Sequence, residues 1–181
     1  MREDTRTRIQ EIALRLFTEQ GYEATSLREI AEELGVTKAA LYYHFKTKDD
    51  IVTSLVEDRL VDLEELLAWV RSRPKTPETR RELVERYAEG IRRTQHIGVA
   101  RFLERNQTAL RDHPTLIKTR ERMKELVAEL NEPGATPVER VSRATALFAI
   151  HAGKWMIESG DLSEDEVNKA SLEVAMRLLE P

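Results

Sequence analysis

Residues 36–48 (VTKAALYYHFKTK) hold most of the side chains in this sequence whose types and spacing suit one chemistry. Between Leu34 and Lys48 there is no acidic residue, although Asp and Glu (33) outnumber Lys and Arg (29) across the 181 residues. Lys38, Lys46 and Lys48 supply cations, Tyr42, Tyr43 and His44 supply hydrogen-bonding rings, and Ala39 and Ala40 keep the start of the segment narrow. A short helix that is locally basic, blunt at its start and tyrosine-bearing further on suits the major groove of DNA. Other chemistries are poorly furnished. His96, His113 and His151 are dispersed, with no His-x3-His pair, and the acids are spread over polar helix faces. No glycine-rich phosphate loop and no nucleophile elbow is present. The expectation is a protein that is not an enzyme and takes no metal and no cofactor.

The totals constrain how such a segment can work. The net charge is −4, and residues 1–50 hold eight Lys and Arg against ten Asp and Glu. Affinity for nucleic acid must therefore come from placement rather than from total charge. The absence of cysteine excludes a disulfide framework and thiolate zinc sites, and with them the common zinc-containing DNA readers. Residues 1–6 are mostly charged, and nowhere do eighteen apolar residues run together. Neither a signal peptide nor a membrane span is expected, and a cytoplasmic location is.

The elements that must position residues 36–48 are helices. Ile9, Ile12, Ala13, Leu16 and Phe17 recur at three- and four-residue steps over residues 5–20, and Gly21 supplies the stop. Ser26 followed by Glu29 is a capping-box pattern opening a second helix, with Leu27, Ile30, Ala31 and Leu34 inward. Gly35 gives a tight turn and Thr37 caps a third helix. Leu41 and Phe45 point inward there, which turns Ala39, Tyr42 and Tyr43 outward. Two short helices joined in this way form a helix-turn-helix. Thr47 with Asp50 opens a long fourth helix that ends before Pro74. Further helices are predicted from Pro77 to about residue 95, over 99–110, from Pro114, from Pro137 to about 158, and over 165–179. No strand pattern appears. The fold class is all-α: an N-terminal three-helix helix-turn-helix domain (1–48) joined by a long helix to a C-terminal helical domain (49–181).

The last two helices carry more apolar girth than one solvated side requires. Val138, Val141 and Phe148 on one, and Val167, Val174 and Leu178 on the other, suit an isologous dimer through a four-helix bundle. A more thoroughly buried monomer core would show similar stripes. Trp69, Tyr87, Phe102, Met123, Phe148, His151 and Trp155 are candidates for lining an effector cavity. His151 and Trp155, four apart, share a helix face.

Over residues 9–51 the sequence resembles the TetR family of transcriptional regulators. The residues that carry the likeness are ALRLF (13–17), Gly21-Tyr22, Thr25-Ser26-Leu27, Ile30-Ala31, Leu34-Gly35-Val36 and LYYHFKTK (41–48). The resemblance implies a homodimer whose N-terminal domains enter successive major grooves of a roughly palindromic double-stranded DNA operator. It also implies a repressor whose C-terminal domain dimerises and is released from DNA by a small-molecule effector. Carried over by motif position, Thr37, His44 and Lys48 would meet phosphates and Tyr42 would lie along the backbone. Lys38, Ala39 and Tyr43 would face bases or the groove wall, with Arg28 a further contact. Ala39 and Ala40 depart from the polar side chains expected at the start of the recognition helix, leaving thymine-methyl contact as the direct readout there. The competing expectation is a helical interaction or adaptor protein whose helix-turn-helix packs on protein rather than DNA.

Overall fold

The computed structural model describes the backbone of residues 2–93, 96–157 and 162–180, with side chains at 5–92, 98, 99, 101–152 and 162–180. Among the described residues there are nine helices and no strand. They are α1 (Arg2–Glu19), α2 (Leu27–Leu34), α3 (Lys38–His44), α4 (Lys48–Arg71), α5 (Pro77–Arg93), α6 (His96–Arg105), α7 (Pro114–Glu129), α8 (Pro137–Ile157) and α9 (Glu164–Leu179). Six of the starts use one device. Ser26, Thr37, Thr47, Thr76, Thr136 and Ser163 each accept, through the side-chain oxygen, the N–H of the residue three further on. This satisfies one of the donors that every helix start leaves open. At Ser26, Thr47, Thr136 and Ser163 an acid three residues on accepts the capping residue's own N–H, closing a capping box.

The chain divides into two compact units. The first comprises Met1–Val61 and Gln95–Thr119. Its core joins Ile9, Ala13 and Phe17 of α1, Leu27, Ile30 and Leu34 of α2, Leu41 of α3 with Phe45 just after it, and Ile51, Val52 and Val56 of α4. Val99 and Phe102 of α6 and Leu110 and Leu116 belong to the same core. The sequence-based boundary at 48/49 marks the end of the helix-turn-helix, but the compact unit runs further. The start of α4 and Val99, Phe102 and Leu103 of α6 complete its apolar surface. Gly98 lets α6 come close to α1: a Cβ there would stand 3.1 Å from Leu14 Cδ2. Phe102 stacks on Phe17, ring centroids 5.5 Å apart. Phe102 is thus a core residue of the first unit. Helix α6 buries it against α1, so it fills core there rather than lining an effector cavity. Helix α6 also stops at Arg105 rather than continuing to 110, and Asn106 just after it donates its side-chain amide to the Phe17 and Phe102 carbonyls.

The second unit comprises Asp62–Thr94 and Arg120–Pro181. Leu63, Leu67 and Val70 of α4 pack with Leu83, Val84, Tyr87 and Ile91 of α5, with Leu126 of α7, and with Leu130 just after it. Ala146, Leu147 and Ile150 of α8 and Ala175 and Leu179 of α9 complete this second core. No helix of the described residues is long and apolar enough to cross a membrane.

Core membership at Phe102 has a measurable consequence. Phe102→Ala should lower the stability of the chain by about 3–5 kcal/mol, the usual range for emptying a buried Phe site. Urea unfolding checks this; a loss below about 1 kcal/mol would return Phe102 to a cavity wall.

Candidate nucleic-acid interface

The geometry of the interface starts with Gly35. Its φ of +71° is left-handed, a conformation other residues enter only with strain. Here its N–H reaches the Glu32 carbonyl (3.1 Å) while Val36 N–H reaches that of Ala31 (3.0 Å). The turn stops α2 within two residues, and Thr37 opens α3 immediately afterwards, its Oγ1 accepting from Ala40 N–H (3.2 Å). Leu41 and Phe45 are buried in the first core, which fixes the rotation of α3 about its axis. Thr37, Lys38, Ala39 and Ala40 are therefore turned toward solvent, and Tyr43 is 65 % exposed. Tyr42 is half-buried against the core, with Lys38 Nζ 5.4 Å from its ring centre. His44 is half-buried and meets the Tyr43 ring edge-on, centroids 5.3 Å apart.

A shallow cleft of about 360 Å³ lies at the start of α2 and brings together Thr25, Ser26, Arg28, Lys38, Tyr42 and Lys48. The N–H groups of a helix start and three cations meet there, with Glu23 also on the lining and Arg28 paired to Glu32, so an anion would be held mainly by Lys38 and Lys48. Arg28 reaches out of α2 while its Nε donates to Glu32 (2.7 Å). Lys48 lies at the first position of α4. Its Nζ donates to the Tyr22 carbonyl (2.6 Å) and that of Glu23 (3.3 Å), 4.5 Å from the Tyr22 ring centre. An ammonium carries three donors, so this seat orients the charge and leaves capacity for a phosphate oxygen. Lys46 serves the helix instead. Its Nζ donates to the Tyr42 carbonyl (2.6 Å), meeting the open C-terminal end of α3.

Two residues to which sequence reasoning gave no role at the site hold this arrangement. Tyr22 donates its phenol to Asp49 beside Lys48, and burial together with that bond and the Asp49 charge pushes the phenol well above its ordinary pKa. Asn106, buried at the end of α6, accepts the Tyr22 N–H through Oδ1 (2.7 Å). Its Nδ2 donates to the carbonyls of Phe17 (3.1 Å) and Phe102 (2.9 Å). No local pattern signals it, because its partners in the first helix and the connection after it lie 89 and 84 positions away.

The other predicted site residues are distributed as follows. In the second unit the Tyr87 phenol and His151 Nε2 are hydrogen bonded at 2.5 Å, with Tyr87 buried and His151 half-buried. Trp69 and Met123 pack partly buried on the same core, the Trp69 ring lying under the Arg86 guanidinium at 4.5 Å. Phe148 is 69 % exposed; it faces away from the α8 side that carries Ala146 and Ile150. The side chain of Trp155 lies outside the described residues. Val138, Val141 and Val174 are 75, 67 and 48 % exposed. Val167, by contrast, is buried within its own chain, so it contributes core rather than bare surface; Leu178 is half-buried on the second core. Among the described residues no group of three or more His, Cys, Asp or Glu converges to hold a metal ion.

Fold and site together define a helix-turn-helix module built to lie on DNA. Residues 9–55 match the family model described as bacterial regulatory proteins, tetR family. Over 102 residues the chain is 38 % identical to the transcriptional regulator AcrR of Shigella flexneri, a match covering 46 % of this chain and 47 % of AcrR. It spans about half the length of that relative. Among solved structures, AmtR of Mycobacterium smegmatis is 27 % identical with a TM-score of 0.71, covering 94 % of this chain and 84 % of that one. PfmR of Thermus thermophilus is 28 % identical with a TM-score of 0.57, covering 96 and 100 %. A structure of AibR with isovaleryl coenzyme A and operator DNA shares the fold at 22 % identity and a TM-score of 0.59, covering 92 and 95 %. Residues 9–55 are thus a TetR-family helix-turn-helix, and AcrR, which the chain matches over that region and beyond, is a transcriptional regulator.

The capping box at the start of α4 predicts a pH response. Hydrogen bonds from Thr47 N–H, Lys46 N–H and the Thr47 hydroxyl hold Asp50 below its ordinary carboxylate pKa. A depressed folded-state pKa contributes stability above the unfolded value of about 4 and loses it as pH falls through the folded one. Asp50→Asn keeps an acceptor but no titration. At pH 7 the variant should be the less stable form, and the gap should close below about pH 4, as followed by urea midpoints across pH.

Proposed function

We propose that this protein is a homodimeric transcriptional repressor that binds a palindromic operator and is released by a small-molecule effector. The observation that carries the DNA part is the convergence of Arg28, Lys38, Tyr42 and Lys48 on one cleft at the start of α2, beside the exposed start of α3. In this reading Thr37, Tyr42, His44 and Lys48 set the register through phosphates. Lys38, Ala39, Tyr43 and Arg28 meet the groove, and DNA shape supplies the remaining specificity. Acting on the chromosome, the protein works in the cytoplasm.

The dimer rests on α8 and α9. Val138, Val141 and Phe148 form one bare face of α8 at helical spacing, and Val174 on α9 is bare as well. Contiguous exposed apolar surface of this kind marks an interaction site, and a self-complementary four-helix bundle would cover it. The effector side rests on the second unit, where Tyr87 and His151 offer a hydrogen-bonding pair beside Trp69 and Met123. The fold is one on which AibR holds both isovaleryl coenzyme A and operator DNA. An effector acts through its difference in affinity between the free and DNA-bound states. Helix α4 contributes residues to both compact units and is the lever in this scheme. Release means that the two recognition helices leave the roughly 34–36 Å spacing of one DNA turn.

Duplexes selected from a random pool should converge on an inverted repeat, and their binding should weaken by orders of magnitude between about 50 and 200 mM salt. Tyr42→Ala with Lys48→Ala should abolish binding while the chain remains folded and its oligomeric state stays as it is. Salt-insensitive capture of protein partners, with no duplex enriched, would favour the adaptor alternative. Phe148→Arg should convert the dimer to monomer in analytical ultracentrifugation and lower operator affinity at least tenfold. A monomeric wild type overturns the dimer.

A further inference from the structure

Asn106 stands outside every feature that the DNA reading uses, yet it reaches the seat of Lys48. Residues 21–23 lie in the connection between α1 and α2 (20–26), and Gly21 has a φ of +97° that allows the chain to reverse there. The carbonyls of Tyr22 and Glu23 in that connection hold the Lys48 ammonium, and the Tyr22 phenol holds Asp49 next to it. The Tyr22 N–H is taken by Asn106 Oδ1 at 2.7 Å. The two amide protons of Asn106 go to the last turn of α1, at the Phe17 carbonyl, and to α6, at the Phe102 carbonyl.

We propose that Asn106 is a positioning residue for the DNA interface: it ties the end of α6 to the α1–α2 connection and so sets where Lys48 presents its charge. This rests on the reading of Lys48 as a phosphate contact. Three features make the assignment specific. The side chain is buried and uses both amide donors and its carbonyl oxygen at once, which no other residue type of that size reproduces, since Asp lacks the donors and Leu lacks both. Its contacts are to backbone, so they fix the path of the connection and not merely its packing. The two rings flanking it, Phe17 and Phe102, are stacked in the same core, so a displacement of α6 would be carried to residues 21–23 by a polar bracket inside a close-packed surround. Asn106 also follows directly on α6 (His96–Arg105), which belongs to the first unit. A displacement of α6 would therefore change the Lys48 seat.

The test is the salt slope of binding to the selected duplex, measured on the full chain after titrating the active fraction. A lost phosphate contact lowers the slope of log K against log salt by about 0.9. At 0.1 M salt that is about eightfold per contact, and about sixtyfold for the two contacts of a dimer. Asn106→Leu should show this fall in slope. In a Lys48→Met background it should change the slope no further, because the two substitutions remove the same contact. If Asn106→Leu does not fold, Asn106→Ser, whose hydroxyl falls short of the Tyr22 N–H but admits water, is measured by the same two criteria. A wild-type slope in the folded variant, or a fall that adds to that of Lys48→Met, overturns the assignment. A substitution that only weakened the fold would reduce the active fraction and leave the slope of the active molecules unchanged. Absence of salt-dependent duplex binding by the wild type would overturn the DNA reading along with this one.

Discussion

Leu41 and Phe45, four residues apart and buried on the core formed by α1, α2 and the start of α4, determine what the DNA-facing surface can be. Helix α3 has seven residues, far below the length at which an isolated helix persists in water. It exists because one side is seated in a core and both ends are closed: at the start by the Thr37 hydroxyl, at the end by the Phe45 N–H on the Leu41 carbonyl and by the Lys46 ammonium. Once the two apolar side chains are inward, the angular positions of Lys38, Ala39 and Tyr43 follow without further choice. The recognition surface has no independent stability and takes its orientation from the small core beneath it.

That dependence explains why the helix-turn-helix was legible in the sequence. Its determinants are local: a capping box at Ser26 and Glu29, a left-handed Gly35, a cap at Thr37 and an apolar pair at helical spacing. Each leaves a mark within a few residues of where it acts. What the sequence concealed is long-range. Nothing around residue 102 distinguishes a Phe that stacks on Phe17 from one that lines a cavity, because α6 has the same apolar stripe in either case. Asn106 likewise sits among polar neighbours and becomes meaningful only when α6 is laid on α1. Phe148 and Val167 show the limit on a helix with two apolar sides. Periodicity finds both stripes on α8 and α9, but only the packed structure tells that Val167 faces its own core and Phe148 faces out.

The electrostatic problem set by an acidic N-terminal half has a structural answer. Glu29 and Asp50 accept backbone N–H groups at helix starts, and hydrogen bonds at those caps hold each below its ordinary pKa. Glu19 and Glu33 flank Arg15, Glu32 takes Arg28, and Asp49 takes the Tyr22 phenol. The three lysines of the recognition segment are placed differently. Lys46 and Lys48 donate to carbonyl oxygens, and Lys38 lies over the Tyr42 ring. A carbonyl or a ring orients an ammonium without neutralising it, whereas a carboxylate offsets part of the field, as Glu32 does for Arg28. Acids engaged at helix caps and guanidiniums, with lysines hydrogen-bonded or stacked on neutral groups, leave the segment locally cationic although its half of the chain is net negative. Counterion release depends on the charges brought to the phosphates and not on the sum over the domain. The same commitment makes the interface sensitive to the backbone that supplies those neutral acceptors, and for Lys48 that backbone is the connection after α1, braced by Asn106.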